Sequence, residues 1–194
     1  MTNNGGANRP HRDLYAAIGR VASASARLET TLRLILNDLA GMNDIAWILF
    51  EGQSTDSLIS NCRTILWFAG GGDTIWIWNS DQRMRLTKLL DECTELRRGR
   101  NVVIHGTWSD FCEYEDYEDR ECELRPPDSP QDGRIYFFKR SKQRMPVGDT
   151  HLAIIDIETL ADQFEAMDSR MRTLQREARE AQRRRWKLRQ SEGE

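Results

Sequence analysis

The sequence predicts a mainly α-helical fold with a small antiparallel β insertion and a long C-terminal helix. Apolar residues recur every three or four positions through residues 13–106 and again from residue 156 onward, which is the spacing of amphipathic helices. Near Trp108 the pattern changes to short aromatic or β-branched segments separated by Pro, Gly and acidic residues, as in strands. A chain of 194 residues with 39% hydrophobic residues is also large and apolar enough to bury a core.

The helical region should begin after a flexible leader at residues 1–12. A first amphipathic helix spans about Asp13 to Leu39, and it should end near Gly41, because glycine is common directly after a helix. The apolar run at residues 45–50 predicts a short buried helix. The first of the main helices is therefore long and well bounded.

Two further main helices complete the predicted bundle. The second begins with Thr55 or Asp56 as its cap, and the third begins with Ser80 or Asp81. The inward stripes are predicted at Leu58, Ile59, Cys62, Ile65 and Leu66 and at Leu86, Leu89, Leu90, Cys93 and Leu96. The core is also expected to hold the tryptophans at positions 47, 67, 76, 78 and 108, because most of them sit within apolar runs. A glycine run at residues 70–72 separates the two helices.

The β insertion is predicted at residues 107–155, with strands at 107–114, 134–140 and 151–155. The acidic segment 113–133 between the first two strands is expected to be a solvated loop.

A final helix should span residues 156–190, with Asp156 as its cap. Its stripe steps by three and four residues without a break, at Ile157, Leu160, Phe164, Met167, Met171, Leu174, Ala178, Ala181, Arg185 and Leu188. This heptad seam should pack either on the bundle or on a second copy of the chain.

Charge is strongly segregated although the net charge is only −3. Residues 110–132 contain ten acids and two bases, whereas residues 170–189 contain nine bases and two acids. The near-neutral average therefore hides two opposite fields. The acidic segment could mimic nucleic acid, bind a cation or neutralise the basic helix, but solvated disorder is the expectation.

The expected location is the cytoplasm. No apolar run approaches the roughly 20 residues that cross a bilayer, and the first residues lack the apolar stretch of a signal peptide. The four cysteines should then be reduced thiols. Cys112 and Cys122 lack CxxC spacing and the chain has three His, so we expect neither a metal site nor another cofactor.

The segment RRGRNVVIHGTW at residues 97–108 carries the residue types that RNA cleavage needs. The guanidinium of Arg100 can bind two phosphate oxygens, and the imidazole of His105 can exchange protons near neutral pH. The same residues also suit a plain helix end, in which Gly106 forms the left-handed cap and His105 lies at the negative end of the helix dipole. Both interpretations are compatible with the sequence.

Arg100, Asn101 and His105 resemble the Arg-x4–6-His motif of HEPN domains, and Glu29 in the segment SARLETTLRLIL resembles a residue of the first HEPN helix. The resemblance covers roughly residues 13–108. It implies an antiparallel helical bundle and a metal-independent endoribonuclease that attacks RNA through the 2′-OH, of the kind found as toxins or in defence against phage. It also implies that two copies of the motif face one cleft at a two-fold dimer interface.

The same resemblance implies the roles of the catalytic residues. Arg100 would stabilise the phosphorane, His105 would act as general acid or base, Asn101 would orient one of them or the phosphate, and Glu29 would support the site. From their charge and position, Arg97, Arg98 and Lys187 are candidates for RNA binding. The expected partners are RNA, a second copy of the chain, and an antitoxin or regulatory protein.

Helix geometry constrains this site. Residues five positions apart on one α-helix point about 140° away from each other, from 100° per residue. Arg100 and His105 therefore converge only if the helix breaks between them, or if a second subunit supplies one of the two groups. The sequence leaves two other functions open, a catalytically inactive module that recruits a partner and a nucleotide-binding accessory domain.

Overall fold

The structure, a computed structural model, describes residues 9–41, 44–68, 78–109, 135–140 and 150–192. In these residues the elements follow in the order α1 (Arg9–Leu39), α2 (Asp44–Phe50), α3 (Thr55–Phe68), α4 (Ser80–His105), β1 (Gly106–Ser109), β2 (Ile135–Arg140), β3 (Thr150–Ala153) and α5 (Ile154–Glu192). The mainly α class is confirmed. The predictions for the leader at residues 1–8, the glycine run 70–72, Trp76 and the acidic loop 113–133 lie outside the described residues.

The chain divides into two compact units. Unit 1 consists of residues 1–23 and 98–163, and unit 2 consists of residues 24–97 and 164–194. Helices α1, α4 and α5 each contribute residues to both units.

The start of α1 differs from the prediction and its end agrees with it. The helix begins at Arg9, so residues 9–12 are helical and not part of a leader, and Pro10 lies in the first turn where proline is tolerated. After Leu39 the chain turns at Gly41, whose φ of 92° is left-handed, and the Gly41 N–H donates to the Asp38 carbonyl at 3.3 Å. Glycine is favoured at Gly41 because other residues rarely adopt that φ.

The caps of α3 and α4 each lie one residue before the predicted ones. The hydroxyl of Ser54 accepts from the Ser57 N–H at 3.2 Å, and Thr55 is the first helical residue. The side chain of Asn79 accepts from the Gln82 N–H at 2.8 Å, while the Gln82 side chain accepts from the Asn79 N–H at 3.0 Å. This reciprocal pair is a capping box, and the cap precedes the helix because its own backbone is not helical.

Unit 2 contains a core between its long helices. Buried apolar side chains come from every helix except α2: Ala24, Leu28, Leu32, Ile35, Leu36, Leu39, Leu58, Ile59, Cys62, Leu86, Leu89, Leu90, Cys93, Phe164, Met167, Met171, Leu174 and Ala178. Trp78, directly before α4, is also buried. Most of the stripes predicted for α1, α3 and α4 therefore face inward in this unit, because burial of apolar area is the main stabilising contribution. The exceptions are Ile65, Leu66 and Leu96, which are half-buried.

Side-chain bonds fix the helix directions in unit 2. Between α1 and α5 they join Arg27 with Glu165, Thr31 with Asp168, and Asp38 with both Gln175 and Arg179. Residue numbers rise together on both helices, so α1 and α5 are parallel. Between α4 and α5 the bonds join Glu92 with Arg170 and Arg85 with Glu177. The numbers there run in opposite directions, so α4 and α5 are antiparallel.

Several aromatic predictions are wrong. The described side chains Trp47, Ile48 and Leu49 of the short helix α2 are exposed, so this part of the helix is not buried as predicted. Trp67 is 74% exposed and lies edge-on to Phe68, with ring centroids 4.8 Å apart. The predicted stripe of α3 ends at Cys62, since the side chains that follow turn outward or are half-buried.

Unit 1 combines the start of α1, the end of α4, the sheet and the start of α5. Its buried apolar side chains are Leu14, Ala17, Val21, Val103, Ile157 and Ala161. At Gly99 a Cβ atom would lie 3.1 Å from Cδ1 of Leu160, so the absence of a side chain lets α4 approach α5 closely at this point. Arg20 and Asp162 form an exposed ion pair between α1 and α5.

The sheet has the strand order β1-β2-β3 and both pairings are antiparallel. The register pairs Gly106 with Arg140 and places Phe137 between Ser109 and His151. The strands fall in the predicted segments, except that β1 and β3 each start one residue early, and that β3 ends at Ala153 where the prediction extended to residue 155. β1 follows α4 without a loop, and β3 leads directly into α5.

The final helix begins two residues before the predicted start. Asp156 lies in its first turn and accepts from the Ala153 N–H at 2.8 Å, so it reaches back from within the helix and is not the cap residue itself. Of its predicted seam, Phe164 and the apolar residues through Ala178 are buried within this chain, whereas Arg185 and Leu188 are exposed. The seam therefore packs on the chain's own helices.

None of the described helices has both the length and the apolar content that a bilayer crossing requires.

Candidate functional site

The segment that carries Arg100, Asn101 and His105 is the last part of α4, which remains helical through His105. The side chain of Trp108 in β1 reaches the end of α4, where its indole N–H donates to the Val103 carbonyl at 3.0 Å. A carbonyl of the last helical turn, which has no partner within the helix, is thereby satisfied. Among the described glycines only Gly41 and Gly52 have positive φ, so Gly106 does not form the left-handed cap of the alternative interpretation.

Arg100 is half-buried and has no carboxylate partner in the described part of the chain. One of its terminal nitrogens, Nη1, donates to the Asn101 side-chain oxygen at 3.2 Å, and its Nε is buried without a hydrogen bond. The Nε atoms of Arg33 and Arg97 share that condition, but both of those guanidinium groups also contact a carboxylate. Arg100 is therefore a cation whose charge is not compensated by a neighbouring acid within the described residues.

His105 is exposed at the end of α4. Among the described residues its imidazole has no hydrogen-bond partner. The continuous helix excludes a break between Val102 and Ile104, because both residues are helical. Within one chain, Arg100 and His105 thus point about 140° apart and are separated by about 7.5 Å along the helix axis, from 1.5 Å per residue.

Glu29, the fourth predicted catalytic residue, has structural partners in unit 2. Its carboxylate accepts from the Thr55 hydroxyl, at the first residue of α3, and lies 3.8 Å from an Arg33 guanidinium nitrogen one turn later on α1. Both contacts connect Glu29 to the packing of α1 and α3. They account for the presence of an acid at this position without a catalytic role.

The three predicted RNA-binding residues lie in different environments. Arg97 forms an ion pair with Asp56 on α3, so its charge is compensated in unit 2. Arg98 is exposed on α4, and it has further interactions of its own. Lys187 is exposed near the end of α5. Arg98 and Lys187 are thus exposed to a ligand, whereas Arg97 is half-buried.

Two cysteines are buried in unit 2 and are not candidates for nucleophiles. Burial raises the pKa of the Cys62 thiol to about 12, and the neighbouring Cys93 acts in the same direction. Burial also raises the pKa of Cys93 to about 12. A nucleophilic cysteine requires the thiolate form near neutral pH, which these side chains do not adopt.

The described residues include no group of three or more His, Cys, Asp or Glu side chains arranged to hold a metal ion.

Sequence reasoning missed Gly99, which lies next to Arg100 and sets the contact between α4 and Leu160. A signal was present, since an isolated glycine within a helical pattern often marks close packing. The basic stretch at residues 183–187, with Trp186 available for stacking, was recognised in the sequence as a possible RNA contact or else a solvated helix end. What the sequence reasoning did not note is that Arg172, Arg176, Arg183 and Lys187 share one helix face through their spacing of four and seven residues.

Comparison of this chain with protein-family models, with curated proteins and with solved structures gave no match.

Proposed function

We propose that the chain is a HEPN-type, metal-independent endoribonuclease that acts as a homodimer. The observation that carries the proposal lies at the end of α4, where a guanidinium without a carboxylate partner among the described residues, Arg100, and an exposed imidazole, His105, lie on one continuous helix. Phosphoryl-transfer chemistry needs a fixed positive charge and a proton carrier, and these two side chains supply them.

The dimer follows from the helix geometry. Because α4 is continuous through His105, one copy presents the two groups about 140° apart. A two-fold axis beside the ends of two α4 helices would bring Arg100 of one copy toward the partner's His105.

In the proposed reaction the ribose 2′-OH loses its proton to His105, and its oxygen attacks the adjacent phosphorus. The P–O5′ bond then breaks, and the leaving oxygen takes a proton from the partner's His105 in its imidazolium form. The products are a 2′,3′-cyclic phosphate and a free 5′-OH. Arg100 stabilises the negative charge that develops on the phosphorane oxygens, and Asn101 orients its guanidinium through their hydrogen bond.

The direct test compares RNA cleavage by the wild type, His105→Ala and Arg100→Ala. Each substitution should lower the rate by about 100-fold or more, the usual contribution of a positioned acid–base or charge-stabilising group. Arg20→Ala is the matched control, because it removes an exposed arginine from the same unit. Cleavage by His105→Ala at the wild-type rate would refute the assignment.

The mechanism has its own test. Cleavage should persist in EDTA, and an RNA with a deoxyribose at the scissile position should resist, because the internal 2′-OH is the nucleophile. Loss of activity on chelation, or equal cutting of the deoxy substrate, would reject the 2′-OH route.

The dimer is tested by light scattering, which should give twice the mass of one chain. A fully active monomer would reject the shared cleft.

The biological role we propose is that of a toxin or phage-defence effector, held in check by an antitoxin or regulatory protein. Expression of the wild type should then stop growth and degrade cellular RNA, whereas His105→Ala should do neither. Equal growth of both strains, with intact RNA, would contradict this role.

A partner-binding module is the second candidate, and one observation favours it. Ile48 and Leu49 on α2 and the pair Trp67 and Phe68 on α3 are large apolar side chains exposed to solvent. Exposed apolar patches often mark protein interfaces. The apolar seam of α5 does not offer such an interface, because it is already covered within the chain as far as Ala178. A wild-type protein without ribonuclease activity that captures a partner through Trp67 would favour this candidate.

A further inference from the structure

The outward face of α5 in unit 2 carries a row of positive charges that we call the outer stripe: Arg172, Arg176, Arg183 and Lys187. Their spacing of four, seven and four residues places all four within an arc of about 60° around the helix axis. All four side chains are exposed. The row extends about 22 Å along the helix, from 1.5 Å per residue.

Most of this charge is uncompensated. Arg172 pairs with Asp168 one turn earlier, at 2.8 Å. Arg176, Arg183 and Lys187 have no acidic partner among the described residues. Residues 172–187 include two acids; Glu177 pairs with Arg85 on α4, which leaves Glu180 as the one acid beside the stripe. The face therefore keeps a positive potential along its length.

An aromatic side chain borders the outer stripe. Trp186 is 60% exposed and lies about 60° around the helix from Arg183. An exposed indole next to a row of cations is the combination that proteins use to bind single-stranded nucleic acids, in which bases stack on aromatic rings and phosphates lie near the charges.

We propose that the outer stripe and Trp186 bind single-stranded nucleic acid, with phosphates along the stripe and a base stacked on the indole. The inference deepens the proposed function, because it names a surface that holds the substrate, and it rests on that function only for the choice of RNA over DNA. The residues involved are distinct from Arg100, Asn101 and His105.

An anionic lipid surface fits this helix less well. Binding in a membrane interface requires a continuous apolar face opposite the charged one. The apolar seam of α5 is already buried within the chain through Ala178. The exposed apolar residues near the end of the helix, Trp186 and Leu188, point about 160° apart, so they cannot insert together.

The test measures binding of a fluorescent 20-nucleotide single-stranded RNA by anisotropy, using His105→Ala protein so that the probe is not cut. The triple substitution Arg176→Gln, Arg183→Gln and Lys187→Gln should weaken binding about 100-fold at 0.1 M salt and lower the salt slope by about 2, from about 0.7 per phosphate contact. A control triple, Arg20→Gln, Arg63→Gln and Lys88→Gln, removes the same charge elsewhere and should weaken binding far less.

Trp186→Ala should weaken binding about 5-fold or more through the loss of stacking, with little change in the salt slope. Trp67→Ala removes an exposed indole on α3, 74% exposed against 60% for Trp186, and should leave binding unchanged. Circular dichroism of every variant verifies that the helices are intact, so that a folding defect is not mistaken for a binding defect.

Three outcomes would overturn the inference: no RNA binding by the parent protein, equal weakening by both triples, or binding of phosphatidylserine vesicles in place of RNA. The two proposals fail separately. Absent cleavage by the wild type, together with RNA binding that maps to the outer stripe, would reject the ribonuclease and retain the stripe. A single-stranded DNA of the same length shows whether the surface prefers RNA.

Discussion

The charged groups around Asp38 and those around Arg100 illustrate two opposite treatments of charge. Asp38 is fully buried in unit 2, where it accepts two hydrogen bonds from Arg179, at 2.9 and 2.8 Å, and one from Gln175 at 2.7 Å. Arg100 in unit 1 has a neutral amide as its hydrogen-bond partner. The groups around Asp38 satisfy one another's hydrogen bonds and stabilise the fold. Arg100, in contrast, is a cation that can still bind a ligand.

The largest expected effect on stability concerns the Asp38 cluster. Asp38→Ala should lower the free energy of unfolding by about 3 kcal/mol, because it leaves Arg179 and Gln175 without their acceptor. Urea denaturation followed by circular dichroism measures it. Glu165→Ala removes an exposed acid from the same pair of helices and should cost about 1 kcal/mol or less. If both variants lost the same free energy of unfolding, the buried Asp38 cluster would contribute no more to stability than an exposed ion pair.

The buried thiols provide a second test of the unit 2 interior. Below about pH 9 Cys62 and Cys93 are protonated in both the folded and the unfolded chain. Between about 9 and 12 only the unfolded chain ionises them, since the folded pKa of each is raised to about 12. The free energy of unfolding should therefore fall as pH rises, by up to about 1.4 kcal/mol per pH unit for each thiol.

The measurement is urea denaturation at two alkaline pH values, compared with the double variant Cys62→Ala, Cys93→Ala. Other groups that titrate in this range contribute equally to both proteins, so the difference in slope reports the thiols. An unchanged slope in the double variant would show that the two thiols ionise as readily in the folded chain as in the unfolded one.

Gly99 tests how the backbone near Arg100 is held in unit 1. Gly19→Ala on α1 should raise the free energy of unfolding by about 1 kcal/mol through helix propensity, because nothing lies within 4 Å of the added Cβ. Gly99→Ala should give a smaller gain or a loss, since its Cβ would lie 3.1 Å from Leu160. Thermal denaturation of the two variants supplies the comparison, and equal gains would refute the close approach of α4 and α5.

The smallest expected effect completes the comparison. His105→Ala and Arg100→Ala should each change the free energy of unfolding by about 1 kcal/mol or less, because His105 is exposed and Arg100 has no buried ion pair to lose. The same urea assay applies. A loss as large as that for Asp38→Ala would make the end of α4 a structural element and remove the support for the proposed site.

Much of the helical architecture could be predicted from local patterns. The stripe of α1 and its end at Gly41 follow from short-range spacing and from the φ that glycine allows. The exposure of Trp47 and Trp67 could not be predicted in this way, because aromatic residues in apolar runs do not reveal which side of a helix is covered.

The candidate site was only partly predictable. Sequence located Arg100 and His105 on one helix, but whether that helix continues through His105 depends on Gly106 entering a strand that pairs with Arg140. The Asp38 cluster was missed altogether, because its partner Arg179 lies 141 residues away and leaves no local pattern. The spacing of apolar residues along the chain does not show which residues distant in sequence contact one another.

The parallel pairing of α1 with α5 also has a consequence for biosynthesis. Asp38 and the apolar stripe of α1 are synthesised before the helix that covers them, which follows 137 to 141 residues later at Gln175 and Arg179. Uncovered apolar helices are sites of aggregation and of chaperone binding. A nascent chain that has not yet reached α5 therefore carries an exposed stripe on α1, and synthesis of α5 is the step that covers it.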